Sequence, residues 1–563
     1  MESKFQRREE FVMYRLFQTH EIRKSREIEG LWNLEAGDYR GVITVPSCWE
    51  TLPSLANWQG KGIYTRELTF GGNARLIFKG VSHTADVYVD DRHIAHHYNA
   101  YTPFDAVVCV PQGKHVIRVE VDNSFSEDSV LHIPNDYYTY GGIIRPVVLE
   151  ELGDCYVSTV HFTPFYRDGE WHATVETTVV SLTEQETTLE LGLYLDDERF
   201  SAGEIRLSGK GERVFRQEYT FGDVLPYSPG EPKLYALKAV LSKDDRPVDD
   251  LIDRVGFREI RTEGKKLLLN GSPLRLRGFN RHEDYNVFGN AVPVQALMRD
   301  LALIRDTGAN AIRTSHYPND ELFLDLCDFF GLMVWEEAHA RGLNAVHMAN
   351  PNFLPQSLSC IDEMIGNHYN HPCIFCWGIL NECVSETEFG RECYGALFER
   401  IRSLDRSRPV TSATCREGRD ITLDLQDIVS VNTYPVWGSR YAPADEKMKD
   451  LKKWIGETGN GEKPFIISEI GAGAVYGFRS DTQCHWSEEY QAFCLEKQLE
   501  ATLSDPDISA VFIWQFCDIR VDDESHWKQR PKSQNNKGVV DEFRRKKLGY
   551  RVVKEMFAKY SET

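Results

Sequence analysis

Two short apolar runs in the C-terminal half of the chain each end on a glutamate. The first reads Trp377-Gly378-Ile379-Leu380-Asn381-Glu382, the second Phe465-Ile466-Ile467-Ser468-Glu469. A single glutamate behind a strand is usually a solvated loop residue. Two delivered to one rim suggest chemistry, because cleavage of a glycosidic bond needs a pair of carboxyl groups. One protonates the leaving oxygen; the other attacks the anomeric carbon or activates water. The acid must keep its proton near neutral pH through burial or a neighbouring negative charge, while its partner stays ionised. The Asn381 amide, beside Glu382, can bind a sugar 2-hydroxyl. Tyr434 is placed to donate a hydrogen bond to Glu469.

One rim requires one sheet. From about residue 261, short apolar runs alternate with helical segments. Strands are predicted at 275–281, 311–315, 332–337, 374–381, 409–413, 428–434, 464–470 and 510–517, and residues 293–304 carry helical periodicity between the first two. Strand–helix alternation over 261–563 predicts a (β/α)8 barrel, with chemistry at the C-terminal ends of the strands. Other polar residues cluster there: Arg281-His282-Glu283-Asp284, Arg313 to Pro318, Glu336, Glu337 and Trp514-Gln515. Arg313 is as ready to buttress Glu469 through a salt bridge as to touch substrate. His282 reads as a substrate ligand or as a satisfied structural histidine. A Trp514 face would make a platform for a sugar ring.

The first half of the chain has a different rhythm. Residues 1–154 hold short alternating strands, such as 85–89 and 115–121, with no long amphipathic helix between them; this predicts a jelly-roll sandwich. Residues 155–260 repeat the pattern at 171–180 and 189–195 and suit an immunoglobulin-like sandwich, with a turn cluster at Ser228 to Pro232. The expected architecture is thus multidomain, two all-β domains followed by an α/β barrel. A chain of 563 residues has room for three or four domains.

Composition narrows the function. Lys and Arg number 65 against 86 Asp and Glu, a net charge of −21, which argues against nucleic acid and anionic membranes as partners. No stretch is long and apolar enough to span a membrane. The first 18 residues are charged throughout and do not read as a signal peptide. Thirteen scattered cysteines favour free thiols and a cytoplasmic setting. Cys373 and Cys376 form a C-x-x-C inside an apolar run without a second metal-binding pair, so they read as buried structural residues and no metal is expected.

The motifs GFNRHED (278–284), RTSHYP (313–318), WGILNE (377–382) and IISEIGA (466–472) resemble those of glycoside hydrolase family 2, over nearly the whole chain. The resemblance implies a retaining β-glycosidase with Glu382 as acid/base and Glu469 as nucleophile, their carboxyl groups about 5–5.5 Å apart. Asn535-Asn536-Lys537 resembles the Asn-x-Lys element by which the family's β-glucuronidases recognise the sugar's C6 carboxylate. A fixed ammonium in a dry pocket gains from an anionic partner, and a neutral hexose would leave it unpaired. Trp486 to Gln491 is similar to a run in the same enzymes, and Asn135-Asp136-Tyr137-Tyr138 resembles the point where the first domain sends an aspartate into the barrel mouth. The glycone site expected on this basis is Asp136, His282, Asn381, Tyr434, Trp514, Asn535 and Lys537.

The expected substrate is a small-molecule or oligosaccharide β-D-glucuronide. β-Galacturonidase and β-galactosidase activities are alternatives on the same machinery, and a non-catalytic carbohydrate-binding protein is a remote one. The resemblance implies a homo-oligomer, tetramer or dimer, and a bacterial source; the mechanism requires no cofactor. Gln515 stands where asparagine is expected and Cys383 where proline is common. The segment 338–354 looks short, which predicts an open mouth tolerant of larger leaving groups.

Overall fold

The strand–helix rhythm of the C-terminal half closes on itself. The computed structural model describes residues 14–523 and 526–561. In it, eight parallel strands form a closed barrel: β1 (Leu276–Asn280), β2 (Ala311–Thr314), β3 (Met333–Glu337), β4 (Ile374–Asn381), β5 (Val410–Thr414), β6 (Val429–Asn432), β7 (Phe465–Ile470) and β8 (Ile508–Ile513). Seven of the eight strands are buried along their whole length. Strands covered on both faces read as unbroken apolar runs rather than alternating ones. The helices outside show the complementary pattern. Helix α1 (Val294–Asp306) buries Leu297, Leu301 and Ile304 at i, i+4 and i+7. Helix α2 (Glu321–Phe330) starts on Asp320, whose side chain accepts from the Leu322 amide, and ends at Gly331 with φ of 69°. Both are standard solutions for the unpaired backbone groups of a helix end.

The eighth strand is shorter than the predicted 510–517. It ends at Ile513, because the backbone beyond turns to the segment that carries Lys537. The Gln515 amide donates to the Lys537 carbonyl at 3.0 Å, and the Val539 amide to the Gln515 carbonyl at 3.1 Å. Burial of Trp514, Phe516 and Cys517 keeps the run apolar although it is no longer strand. The predicted sixth strand is likewise cut at Asn432, which leaves Tyr434 on the loop that follows.

The N-terminal domain is an antiparallel β-structure built around two long strands, Lys61–Phe78 and Phe104–Asp122, paired from Lys61↔Asp122 to Phe78↔Phe104. Trp32, Leu34, Leu76, Val87, Val119 and Val147 fill its core. The second domain packs a three-stranded sheet against a four-stranded one around Val157, Trp171, Val175, Leu237 and Phe257.

Buried charge fastens these domains to the barrel. Arg15 pairs with Asp253 of the second domain at 3.1 Å and with Asp325 of α2 at 2.6 Å. Arg145 reaches Glu283 behind β1 at 2.7 Å, and the Tyr101 ring stacks on Tyr317 with centroids 3.7 Å apart. The last two contacts hold the first domain against the C-terminal ends of the barrel strands. Cys373 and Cys376 are fully buried, as expected. Among the described residues, no helix is long and apolar enough to cross a membrane. The reading of the extreme N-terminus falls on residues 1–13, outside the described residues.

Candidate active site

Arg313, at the end of β2, organises the floor of the barrel mouth. A guanidinium has five N–H donors in a fixed plane, and here they are shared among four side chains. Nε and Nη2 hold Glu337 at 2.9 and 3.0 Å. Nη1 donates to Asn280 at 3.0 Å and to Glu469 at 3.1 Å, and Nη2 donates to Asn381 at 2.9 Å. The ends of β1, β2, β3, β4 and β7 are thereby tied to one cation. The salt-bridge reading of Arg313 is the one observed. His316 also shares a hydrogen bond with Glu337 at 2.8 Å.

Glu469 accepts a second hydrogen bond, from the Tyr434 hydroxyl at 2.5 Å, as expected from sequence. Glu382 stands in a different setting. Its backbone takes φ of 54°, the left-handed region that costs a non-glycine residue about 1–3 kcal/mol. One carboxylate oxygen accepts from the Asn432 amide at 2.9 Å; the other lies 3.5 Å from Arg341. Asn432 also donates to Asn381 at 3.1 Å, so with Arg313 the Asn381 oxygen is saturated, while its buried amide nitrogen has no partner among the described residues.

The pair of carboxyl groups shares a charge problem. Burial, and then the charge of Glu382, push Glu469 up to about 7, against the pull of Arg313 and Tyr434. Like charges in one dry site cannot both ionise cheaply, so Glu469 gives up its proton only near neutrality. Arg313 and Tyr434 support the form in which Glu469 carries the charge. The side chain of Glu382 is also the more exposed of the two, 18% against 5%.

A second wall is contributed from outside the barrel floor. Asp136 comes from the first domain and is buried. One of its oxygens accepts from Arg530 at 3.1 Å and from Asn535 at 3.1 Å; the other lies 3.4 Å from Arg341. Burial would raise the Asp136 carboxyl, but Arg341 and Arg530 outweigh it and hold it below its usual range. The Lys537 ammonium lies 4.0 Å from the Tyr434 ring centroid and, among the described residues, makes no ion pair. Burial first, and the nearby Arg530 charge second, bring it down to about 8. Gly538 permits this placement: a side chain there would meet the Cys517–Asp518 peptide at 2.3 Å.

The remaining predicted residues complete the mouth. His282 shares a hydrogen bond with the Tyr317 hydroxyl at 3.1 Å through Nδ1, while its buried Nε2 has no partner among the described residues. Burial pushes its pKa down to about 3, so it is a neutral ring. One nitrogen is anchored structurally and the other keeps its hydrogen-bonding capacity. Trp514 stacks on His316 with centroids 4.9 Å apart and meets His282 edge-on, so one indole face is already used. Gln515 donates to the Asn535 carbonyl at 3.2 Å and so supports the Asn-x-Lys segment. Sequence reasoning did not single out Asn432, Arg341 or Arg530. Asn432 ends β6 and could have been found by the strand-end rule; the two arginines sit on loops without a periodic signal.

Asp325, Asp328 and His371 form a buried cluster of metal-ligating types among the described residues. Arg15 already grips both Asp325 oxygens at 2.6 and 3.0 Å, and His371 holds Asp328 at 2.5 Å. These cations satisfy the carboxylates, and the donor set does not fit a metal. The cluster also precedes β4, at the opposite end of the barrel from the two glutamates.

A barrel that brings two carboxyl groups, an amide donor and a tyrosine to its C-terminal mouth is the architecture of a glycoside hydrolase. Family models agree in all three regions: the family 2 sugar-binding domain matches residues 28–152, the family 2 middle domain 155–258 and the family 2 TIM-barrel domain 260–560. The chain belongs to glycoside hydrolase family 2. A crystal structure of a GH2 β-galacturonidase from Eisenbergiella tayi bound to galacturonate is 50% identical, with a TM-score of 0.95 over 97% of this chain and 99% of that one. A β-D-glucuronidase structure from Dictyoglomus thermophilum is 25% identical, with a TM-score of 0.83 over 96% and 98%. The β-glucuronidase of Streptococcus agalactiae is 25% identical over 93% of this chain and 96% of its own length.

Proposed function

We propose that the enzyme is a retaining β-hexuronidase that hydrolyses β-D-glucuronides by double displacement. Glu382 protonates the glycosidic oxygen while Glu469 attacks the anomeric carbon. Water then releases the glycosyl-enzyme, with Glu382 acting as base. Asn381 donates its free amide N–H to the 2-hydroxyl, and Lys537 with Asn535 holds the C6 carboxylate. These roles call on no cofactor. The observation that carries the substrate class is the Lys537 ammonium: it is held in the mouth of the site, beside Tyr434, with no ion-pair partner among the described residues. A neutral hexoside would leave it so; a uronide pairs it.

A second reading has a specific observation behind it. β-D-Galacturonides keep the carboxylate and invert only the C4 hydroxyl, and the 50% identical structure is that of a β-galacturonidase bound to galacturonate. One assay decides between the two: p-nitrophenyl β-D-glucuronide, β-D-galacturonide and β-D-galactoside side by side. Preference for the glucuronide supports the first reading and preference for the galacturonide the second. Preference for the galactoside overturns both.

Three further properties belong to the same proposal. The segment 338–354 forms one short helix, Ala345–Met348, with Val346 78% exposed. This supports an open leaving-group side; much better cleavage of small aryl glycosides than of uronide-capped oligosaccharides would contradict it. We place the enzyme in a bacterial cytoplasm, a setting that suits 13 cysteines all present as free thiols. We expect a dimer or tetramer, which sedimentation analysis would count.

A further inference from the structure

Away from the barrel mouth, the first domain carries His93-Ile94-Ala95-His96-His97. The run lies on the strand Arg92–Tyr98, the last in its sheet, which pairs antiparallel with Thr84–Val89. Side chains alternate between the faces of a regular strand, so His93 and His96, three apart, belong on opposite faces. Here one extra residue, Ile94, stands between the pairs Val87↔Ala95 and Tyr88↔His93. Such a bulge re-aims the side chains that follow it. Both imidazoles consequently share the outer face with Asp86, which pairs directly with His96.

The three side chains meet at one atom. His93 Nε2 lies 2.9 Å and His96 Nδ1 3.0 Å from the same Asp86 oxygen. All three stand open to solvent. The His93 ring is set edge-on against Tyr88, with centroids 5.0 Å apart, and the Arg118 guanidinium in turn lies 3.7 Å from the Tyr88 centroid. Glu120 faces Asp86 from the next strand, but Arg118 already holds it. Nitrogen and oxygen ligands of a tetrahedral zinc ion lie about 2.0–2.2 Å from the metal, hence about 3.3 Å from one another. Both nitrogen–oxygen spacings are close to that value. The rings still have to turn toward each other to share an ion, which their exposure allows.

We propose that Asp86, His93 and His96 form a binding site for a divalent transition-metal ion of the zinc class, separate from the glycosidase site. Two imidazoles and one carboxylate suit Zn²⁺ or Ni²⁺ better than Mg²⁺ or Ca²⁺, which take oxygen ligands. A neutral imidazole has one N–H and one lone pair. On binding, the proton that each ring presents to Asp86 moves through water to the ring's other nitrogen, and the freed lone pair takes the ion. Water fills the remaining coordination position. The role is structural. The ion ties the edge strand to its neighbour, and on the inner face of the same strand His97 shares a hydrogen bond with Glu363 of the barrel helix Phe353–His368 at 3.2 Å. Pinning the strand from outside stiffens the seat of the first domain on the barrel.

The test is calorimetric titration of the full-length enzyme with Zn²⁺ and with Ni²⁺. The exposed Cys109, Cys415 and Cys484 are capped beforehand with iodoacetamide so that thiols do not compete. One equivalent is expected to bind to the wild type at this site. His93→Ala and His96→Ala should each weaken that binding by roughly tenfold to 100-fold or more, Asp86→Asn should weaken it too, and the double histidine variant should lose the equivalent altogether. Visible absorption of bound Co²⁺ should disappear in the same variant. Saturating Zn²⁺ should raise the melting midpoint of the wild type and leave that of the double variant where it was. Melting without metal shows that the variants fold. Two results overturn the inference: no saturable binding to the wild type, or the same equivalents and affinity in the double variant. The second would place the ion elsewhere, as at Asp325, Asp328 and His371, and either would leave Asp86 and its histidines as a hydrogen-bonded surface patch.

Discussion

The two halves of the active-site mouth are built on opposite principles. On the floor, Arg313, Glu337, Glu469, Asn280 and the Asn381 oxygen close a network in which every charge has a partner. On the wall, Arg530 and Asn535 each keep a buried polar atom without a protein partner, and Lys537 makes no ion pair among the described residues. A satisfied network is rigid and holds a reacting group in one geometry. An unsatisfied one is costly until something binds. On the function proposed above, the difference separates chemistry from recognition: the floor would cleave, and the wall would select what is cleaved.

The floor should break most completely at its proposed nucleophile. Glu469→Gln should lower kcat on order of 10^4-fold or more while leaving the fold and ligand binding intact. Circular dichroism and inhibitor titration check the second half of that statement, and retained turnover would move the nucleophile elsewhere. Next comes the cation beneath it. Arg313→Met leaves Glu337 and Glu469 buried without their partner, a loss of about 3–5 kcal/mol. Denaturant unfolding of the barrel should show it, together with loss of activity on every glycoside. A variant that unfolds like the wild type would mean that the network is not the scaffold described here.

The wall shows itself in a ratio. Glu469 must be ionised to attack, and burial beside Glu382 raises it to about 7, so kcat/KM should climb as pH rises through about 7 for all substrates. Lys537 sits near about 8, lowered by burial and Arg530 and facing Asp136, Glu469 and Glu382. Its ammonium is present below that pH and lost above it. Dividing uronide by neutral-hexoside kcat/KM cancels the dyad, and the quotient should decline through about 8. A flat quotient from pH 6 to 9 would detach Lys537 from carboxylate recognition.

The smallest effect is a displacement. Glu382→Gln removes the neighbouring charge that helps to raise Glu469, so the nucleophile should ionise at lower pH. The rate of glycosyl-enzyme formation from a dinitrophenyl glycoside, whose leaving group needs no acid, would report it. An acid limb that stays in place would assign the shift to burial alone.

The floor was legible in the sequence and much of the wall was not. Glu382 and Glu469 end runs of buried strand, and Asn381 and Arg313 lie at matching strand ends; the barrel geometry alone brings them together. Tyr434 follows from the same rule, although its strand stops at Asn432. Lys537, Asn535 and Asp136 came from resemblance rather than pattern, because they sit on loops and, for Asp136, on another domain. Arg341 and Arg530 escaped both. Their neighbours are irregular chain, and only the folded structure brings Asp136 within reach of both arginines and Asn135 within reach of Arg341. The overlong eighth strand has a related cause: burial of Trp514 and Phe516 is a tertiary effect that mimics strand pattern.

The most direct test of the division between floor and wall is a double-mutant cycle between enzyme and substrate charge. Wild type and Lys537→Ala are assayed on p-nitrophenyl β-D-glucuronide and β-D-galacturonide and on the matching neutral hexosides. The account predicts a loss of roughly 10²-fold to 10³-fold on the preferred uronide and little change on its neutral counterpart. Equal losses on both would contradict it, because Lys537 would then serve the chemistry or the fold rather than the carboxylate.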